Sequence, residues 1–106
     1  MRIGLLLTDK TSGKRIGLIE FDPSGMLIMK AFQNMVHAFA LNLIPGLILK
    51  EPLYMKHAKL LKEKSALPID ILEQEARFCA DALNQLKKPL TVGKYTLKAD
   101  SVRYSL

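Results

Sequence analysis

The sequence contains one cysteine, two histidines and no tryptophan. Cys79 has no second cysteine to pair with, so disulfide-stabilised secreted folds are excluded and a reducing compartment is favoured. His37 and His57 show no ligand spacing with each other or with Cys79, so we expect no structural zinc site. Cys79 is predicted to be a buried, inert thiol. We therefore predict a cytoplasmic protein with no metal, no cofactor and no catalytic residue.

The sequence also lacks a complete phosphate-binding loop. It has two Gly-Lys pairs, Gly13-Lys14 and Gly93-Lys94. A P-loop requires a glycine five residues before the glycine of that pair and a Ser or Thr directly after the lysine. Neither pair has either residue. Both pairs are predicted to be turns.

Only one long apolar run is present, from Gly25 to Ile44. Its charged or polar members are Lys30, Gln33, Asn34, His37 and Asn42. These interruptions, followed by Pro45-Gly46, argue against a membrane span. The helical periodicity of the apolar residues predicts instead a central helix, with Asp22 or Ser24 as its cap. Because the helix is apolar on more than one side, we expect it to be covered by the sheet and also by another helix or a second subunit.

The ends of the chain have the pattern of β-strands. Arg2–Leu7 and Arg15–Glu20 flank a polar turn containing glycine, which predicts a hairpin. After Pro89 apolar and polar residues alternate, which predicts two further strands joined by a turn at Asp100-Ser101. The two hairpins are expected to form one antiparallel sheet.

Two more helices are predicted between these hairpins. The first runs from Pro52 to Lys64 and the second from about Asp70 to Lys87, with Asp70 and Glu73 spaced as a capping box. The length of 106 residues fits a single domain, residues 1–106. The fold class is therefore α+β, with the order ββ-ααα-ββ and the helices packed on one face of the sheet.

A polar pair is predicted within the helical layer. His57 lies on the apolar face of the first of these two helices, and Glu75 lies among apolar residues of the next. Because a buried carboxylate requires a partner, we expect the two side chains to meet across an antiparallel helix pair. A structural or interface role is favoured over a ligand site.

The net charge of +6 favours an anionic partner. Two basic stripes are predicted, one on a helix and one on the outer sheet face, and their members are Lys56, Lys59, Lys62, Lys94, Lys98 and Arg103. Tyr95 and Tyr104 are expected on the apolar side, away from these charges. Contacts to phosphates are thus predicted without a stacking surface for bases.

Our preferred interpretation is a non-enzymatic interaction module that binds a second copy of itself or another protein. Leu27, Leu41 and Ile44, beside His37, form the predicted interface of the central helix. A nucleic-acid-associated protein that uses the lysine stripes is the second interpretation. The third is a ligand-binding or catalytic protein built around His57 and Glu75.

Overall fold

The computed structural model describes residues 2–32, 49 and 51–105 of the chain. Its elements, in chain order, are β1 (Arg2–Asp9), β2 (Arg15–Phe21), β3 (Leu27–Ala31), α1 (Leu53–Lys56), α2 (Ala58–Lys64), α3 (Ile69–Asn84), β4 (Thr91–Val92) and β5 (Tyr95–Ser105). The strands are antiparallel in the order β3-β2-β1-β5-β4. The predicted α+β class is confirmed.

The core forms between one face of the sheet and α3. Ile3, Leu5 and Leu7 alternate along β1 and are fully buried. They share one cluster with the apolar side of α3, where buried residues recur every three or four positions. Those residues are Leu72, Ala76, Cys79 and Leu83. The predicted hairpin of β1 and β2 supplies the centre of the sheet.

The start of the predicted central helix is wrong, because Leu27–Ala31 forms β3 and pairs with β2. The proposed cap residues form the connecting turn instead: the Ser24 hydroxyl donates to Asp22 Oδ2 at 2.5 Å, and Gly25 has a φ of 88°. The exposed Ile28 and Lys30 alternate with residues that face the core, a period of two that overlaps the helical pattern. A helix across residues 33–44 lies outside the described residues.

The C-terminal strand is continuous, so the turn predicted at Asp100-Ser101 is wrong. Leu6 pairs with Ser101 and Leu7 with Ala99, which leaves Asp100 as an extra residue in a β-bulge. A single extra residue breaks the alternation just as a turn does. The alternation resumes after the bulge, so Leu97 and Ala99 before it and Val102 after it pack against the core.

The helices after residue 51 lie where predicted, with corrected ends. The first is divided at His57 into α1 and α2. The capping box is wrong, because Pro68 precedes α3 and no side chain caps its first turn. At the other end, Asn84 exchanges two hydrogen bonds of 2.8 and 2.9 Å with the backbone of Ala99, which joins α3 to β5. Among the described residues, no helix has the length and apolar character needed to cross a membrane.

Candidate functional site: the Glu75 ion pair and a lysine cluster

The predicted contact between His57 and Glu75 is present. His57 Nε2 donates to Glu75 Oε1 at 2.9 Å, and Lys56 Nζ lies 2.8 Å from the same oxygen. The Glu75 and His57 side chains are only 7% and 19% exposed, respectively. Glu75 Oε2 is buried without a hydrogen-bond partner. The arrangement ties the junction of α1 and α2 to α3, and a binding role for the pair stays a prediction.

The balance of forces on Glu75 keeps its carboxyl ionised. Burial raises its pKa, but the hydrogen bonds and charges of Lys56 and His57 lower it more, so the net pKa lies below its ordinary value. The helical layer therefore contains a buried, ionised carboxylate that accepts hydrogen bonds from Lys56 and His57. Such an arrangement holds elements in place and offers little surface to a ligand.

Cys79 lies one helical turn after Glu75 and is buried, as predicted. Burial, with a further contribution from the Glu75 charge, raises the pKa of its thiol to about 12. The thiolate needed for nucleophilic attack is therefore scarce at neutral pH. Among the described residues, no group of three or more histidine, cysteine or acidic side chains could hold a metal ion.

The predicted helical lysine stripe is interrupted. Lys56 forms the ion pair with Glu75, and its Nζ lies 5.7 Å from the centroid of the Phe78 ring. Lys59 and Lys62 are exposed on α2. Only these two members of the stripe therefore retain the solvated character that the sequence predicts.

Lys94 is part of a different arrangement, around Tyr95. Lys14 Nζ donates to the Tyr95 hydroxyl at 3.0 Å and lies 5.3 Å from the ring centroid. Lys94 Nζ lies 5.6 Å from the same centroid. The expectation that Tyr95 lies away from Lys94 is therefore wrong, although the ring packs partly against the core as the alternation predicts. The turn between β1 and β2 brings Lys14 to the same ring.

Two more lysines belong to the same end of the sheet. The Lys10 N–H donates to the Thr96 carbonyl at 2.8 Å, and Lys10 and Lys98 line one surface depression, whereas Lys14, Lys94 and Tyr95 line another. We call Lys10, Lys14, Lys94 and Lys98, with Tyr95, the lysine cluster. The two Gly-Lys turns are the sequence signal for it, since each places an exposed lysine at the same end of the sheet.

The Asp9 carboxylate holds together the turn and the strand that carry Lys14 and Tyr95. Its Oδ2 accepts hydrogen bonds from the Ser12 backbone at 3.0 Å and the Ser12 hydroxyl at 2.7 Å, and its Oδ1 accepts one from Thr96 N–H at 2.9 Å. The Ser12 hydroxyl, followed by the Thr96 amide, lowers the pKa of Asp9. This carboxylate joins the β1–β2 turn to β5 and so holds Lys14 beside Tyr95.

The other predicted contacts lie elsewhere. Arg103 donates to Ser101 Oγ at 3.1 Å. It shares the outer sheet face with Lys98 but lies roughly 15 Å further along β5 at the usual rise per residue. Tyr104 is half-exposed, and the nearby Glu73 carboxylate is the chief cause of its raised pKa. Arg103 and Tyr104 are therefore not part of the lysine cluster.

Of the four residues predicted to form the interface of the central helix, the structure describes one. Leu27 lies in β3, partly buried against the core. His37, Leu41 and Ile44 lie outside the described residues. The helical face that would bring the four together does not include Leu27.

No protein-family model, curated protein sequence or solved structure matches this chain.

Proposed function

We propose that this chain is a nucleic-acid-associated protein that binds backbone phosphates through the lysine cluster. The principal support is the placement of the Lys14 and Lys94 ammonium groups within 6 Å of the centroid of one aromatic ring. An aromatic ring attracts cations electrostatically and so offsets part of the repulsion between them. Two positive charges are thereby held beside one ring at this end of the sheet.

The electrostatic state of the cluster differs from that of the basic side chains whose charge is neutralised by a glutamate. Arg2, Lys30, Lys56 and Arg77 form ion pairs with glutamates. Within the described ranges, by contrast, no carboxylate lies at salt-bridge distance from the four ammonium groups of the lysine cluster. Their charge is balanced by mobile counterions, and release of those ions is what drives phosphate binding.

The proposal is tested by comparing two charge-matched double variants in fluorescence anisotropy with labelled random oligonucleotides. Lys14→Gln with Lys94→Gln removes two charges from the lysine cluster. Lys59→Gln with Lys62→Gln removes two from the exposed side of α2 and serves as the control. We expect the first variant to bind at least tenfold more weakly than wild type and the control to change much less. Equal losses in both would show that only net charge matters.

We retain a homodimeric, non-enzymatic interaction module as the second proposal. Its support is now a set of large side chains that are about half-exposed on α1 and α3, namely Tyr54, Met55 and Phe78. Exposed aromatic and methionine side chains are enriched in protein interfaces. Sedimentation analysis across a concentration series, with Phe78→Lys as the comparison variant, tests this proposal. A monomer at all concentrations would contradict it.

A further inference from the structure

β3 lies at one edge of the sheet, and its backbone carries hydrogen-bonding groups that β2 does not use. Among the strands that the structure describes, only β2 pairs with β3. The Asp22 N–H donates to the Met26 carbonyl at 3.0 Å, and the Phe32 N–H donates to the Ile16 carbonyl at 3.0 Å. Hydrogen-bonded pairs alternate along an antiparallel ladder, and the register between these two bonds is uninterrupted, so every second residue of β3 directs its N–H and C=O away from β2. Those residues are Leu27, Met29 and Ala31.

β3 lacks the features that usually keep a sheet edge from pairing. Natural edge strands are very short, bulged, interrupted by proline or protected by lysine. The strand at the opposite edge, β4, has two residues, whereas β3 has five, with no bulge and no proline. Its one charged residue is Lys30, whose Nζ lies 2.7 Å from Glu20 Oε1 on β2. The lysine charge is therefore neutralised and held towards β2.

Large apolar side chains lie beside this edge. Met26, Ile28 and Phe32 occupy alternate positions on the outer sheet face and are between 38% and 53% exposed. Lys30 occupies the remaining alternate position. The edge thus combines backbone donors and acceptors that point outward with apolar surface next to them. This combination is typical of a strand that accepts another strand.

We propose that β3 pairs with β3 of a second copy of this chain, in an antiparallel register centred on Met29. In this register Met29 opposes the partner's Met29, and Leu27 opposes the partner's Ala31. All outward N–H and C=O groups of both strands then have partners, because each copy contributes the same donors and acceptors. The two-fold axis makes the contact self-complementary and closed, which favours a second copy over an unrelated strand.

The side chains on the outer face support this register. Ile28 opposes the partner's Lys30, and Met26 opposes the partner's Phe32, where a thioether against an aromatic ring is favourable. Each Lys30 keeps its own Glu20 and does not oppose another lysine. An axis moved to Leu27 or Ala31 would place residues of β3 opposite residues outside the strand. The axis at Met29 is therefore preferred.

This inference concerns self-association, as the second proposal above does, but it assigns the contact to the β3 edge instead of the side chains on α1 and α3. It does not depend on nucleic-acid binding. Pairing of two five-residue strands buries less than the roughly 800 Å² per partner of a standard stable interface. We therefore expect a weak dimer, with a dissociation constant of about 10–100 µM.

The first experiment compares two substitutions of the same kind by sedimentation equilibrium over a concentration series. Ile28→Lys and Phe78→Lys each replace an exposed apolar side chain with lysine, one on β3 and one on α3. We expect Ile28→Lys to raise the dissociation constant at least tenfold, because it places a lysine opposite the partner's Lys30. Phe78→Lys should leave the constant within about twofold of wild type, since it lies outside the strand pair. Circular dichroism checks that both variants are folded.

The second experiment tests the register by disulfide formation. Ile28→Cys and Lys30→Cys are oxidised separately and as a mixture, and thiols are alkylated before electrophoresis. The mixture should form a mixed disulfide, because these positions oppose each other across the two-fold axis. Each variant alone should cross-link far less, since its cysteine is offset by two residues from its own copy in the partner. Wild type, which has only the buried Cys79, gives the background.

Each outcome decides the inference. A dimer that weakens in Ile28→Lys, together with the mixed disulfide, supports it. A dimer that weakens only in Phe78→Lys, or in neither variant, would overturn it, and the first of these results would favour the second proposal. If both variants weaken the dimer, absence of the mixed disulfide would overturn the inference and its presence would support it. A monomer at every concentration would refute the inference and the second proposal together, while oligonucleotide binding is measured independently.

Discussion

Glu75 accepts the hydrogen bond of His57 and the ion pair of Lys56 through one carboxylate oxygen, while its other oxygen is buried without a partner. The interaction joins the junction of α1 and α2 to α3. Because the charge is buried, its removal or isolation affects stability more than an exposed pair would. The contact therefore predicts energetic coupling between the two residues.

We expect the single variants His57→Ala and Glu75→Ala to destabilise the fold by about 1–3 kcal/mol each, through loss of the hydrogen bond and exposure or isolation of its partner. Urea unfolding of the two single variants and the double variant measures their coupling. The double variant should be less destabilised than the sum of the singles by about 1 kcal/mol. Strict additivity would show that the contact contributes nothing to the free energy of unfolding.

The lowered pKa of Glu75 predicts that the free energy of unfolding decreases at acidic pH. A carboxyl whose folded-state pKa lies below its unfolded value contributes stability that is present above the unfolded pKa and lost as pH falls through the folded one. Asp9, Asp22 and Glu73 have lowered pKa values and act in the same direction. From about pH 5 downward, wild type should lose stability more steeply than Glu75→Gln in urea unfolding at successive pH values. Parallel curves for the two proteins would be inconsistent with this assignment.

Cys79 should resist thiol reagents in the folded protein. Its pKa of about 12 and its burial leave little accessible thiolate at pH 8. Reaction with a disulfide reagent should be slow in buffer and become rapid once urea unfolds the chain. Reaction in buffer at the rate of a free thiol would place Cys79 at the surface.

Two glycines with positive φ allow a matched comparison of strain. Gly13 has a φ of 74° and open space where a Cβ would lie, whereas at Gly25, with a φ of 88°, a Cβ would lie 2.8 Å from the Tyr54 backbone. Gly13→Ala should cost about 1–2 kcal/mol from backbone strain alone. Gly25→Ala should cost clearly more, because the strand-connecting turn and α1 must also separate. Similar losses in thermal unfolding would contradict the close contact of turn and helix.

The sequence predicted correctly those elements whose apolar residues fit only one periodicity, either that of a strand or that of a helix. The β1–β2 hairpin is defined by apolar runs around a polar turn. The contact of His57 with Glu75 followed from two amphipathic helices and a short connection. In both cases the information is local or spans one connection, so spacing along the chain was sufficient.

The rest depended on features that spacing does not specify. The apolar residues of Leu27–Ala31 fit a helical face as well as a strand, and pairing with β2 decides between them. The bulge at Asp100 interrupts alternation in the same way as a turn. Lys14 and Tyr95 are 81 positions apart, so only the sheet order brings them together. The lysine cluster was therefore visible in the sequence only as two separate turns.

The most direct test of phosphate binding by the lysine cluster is the salt dependence of wild-type affinity for a single-stranded oligonucleotide. Four lysines that each replace a counterion predict a slope of about −3 for the logarithm of the association constant against the logarithm of salt concentration. The Lys14→Gln, Lys94→Gln double variant should have a slope smaller in magnitude by about 1.4. Affinity that is insensitive to salt, or absent at low salt, would contradict the account.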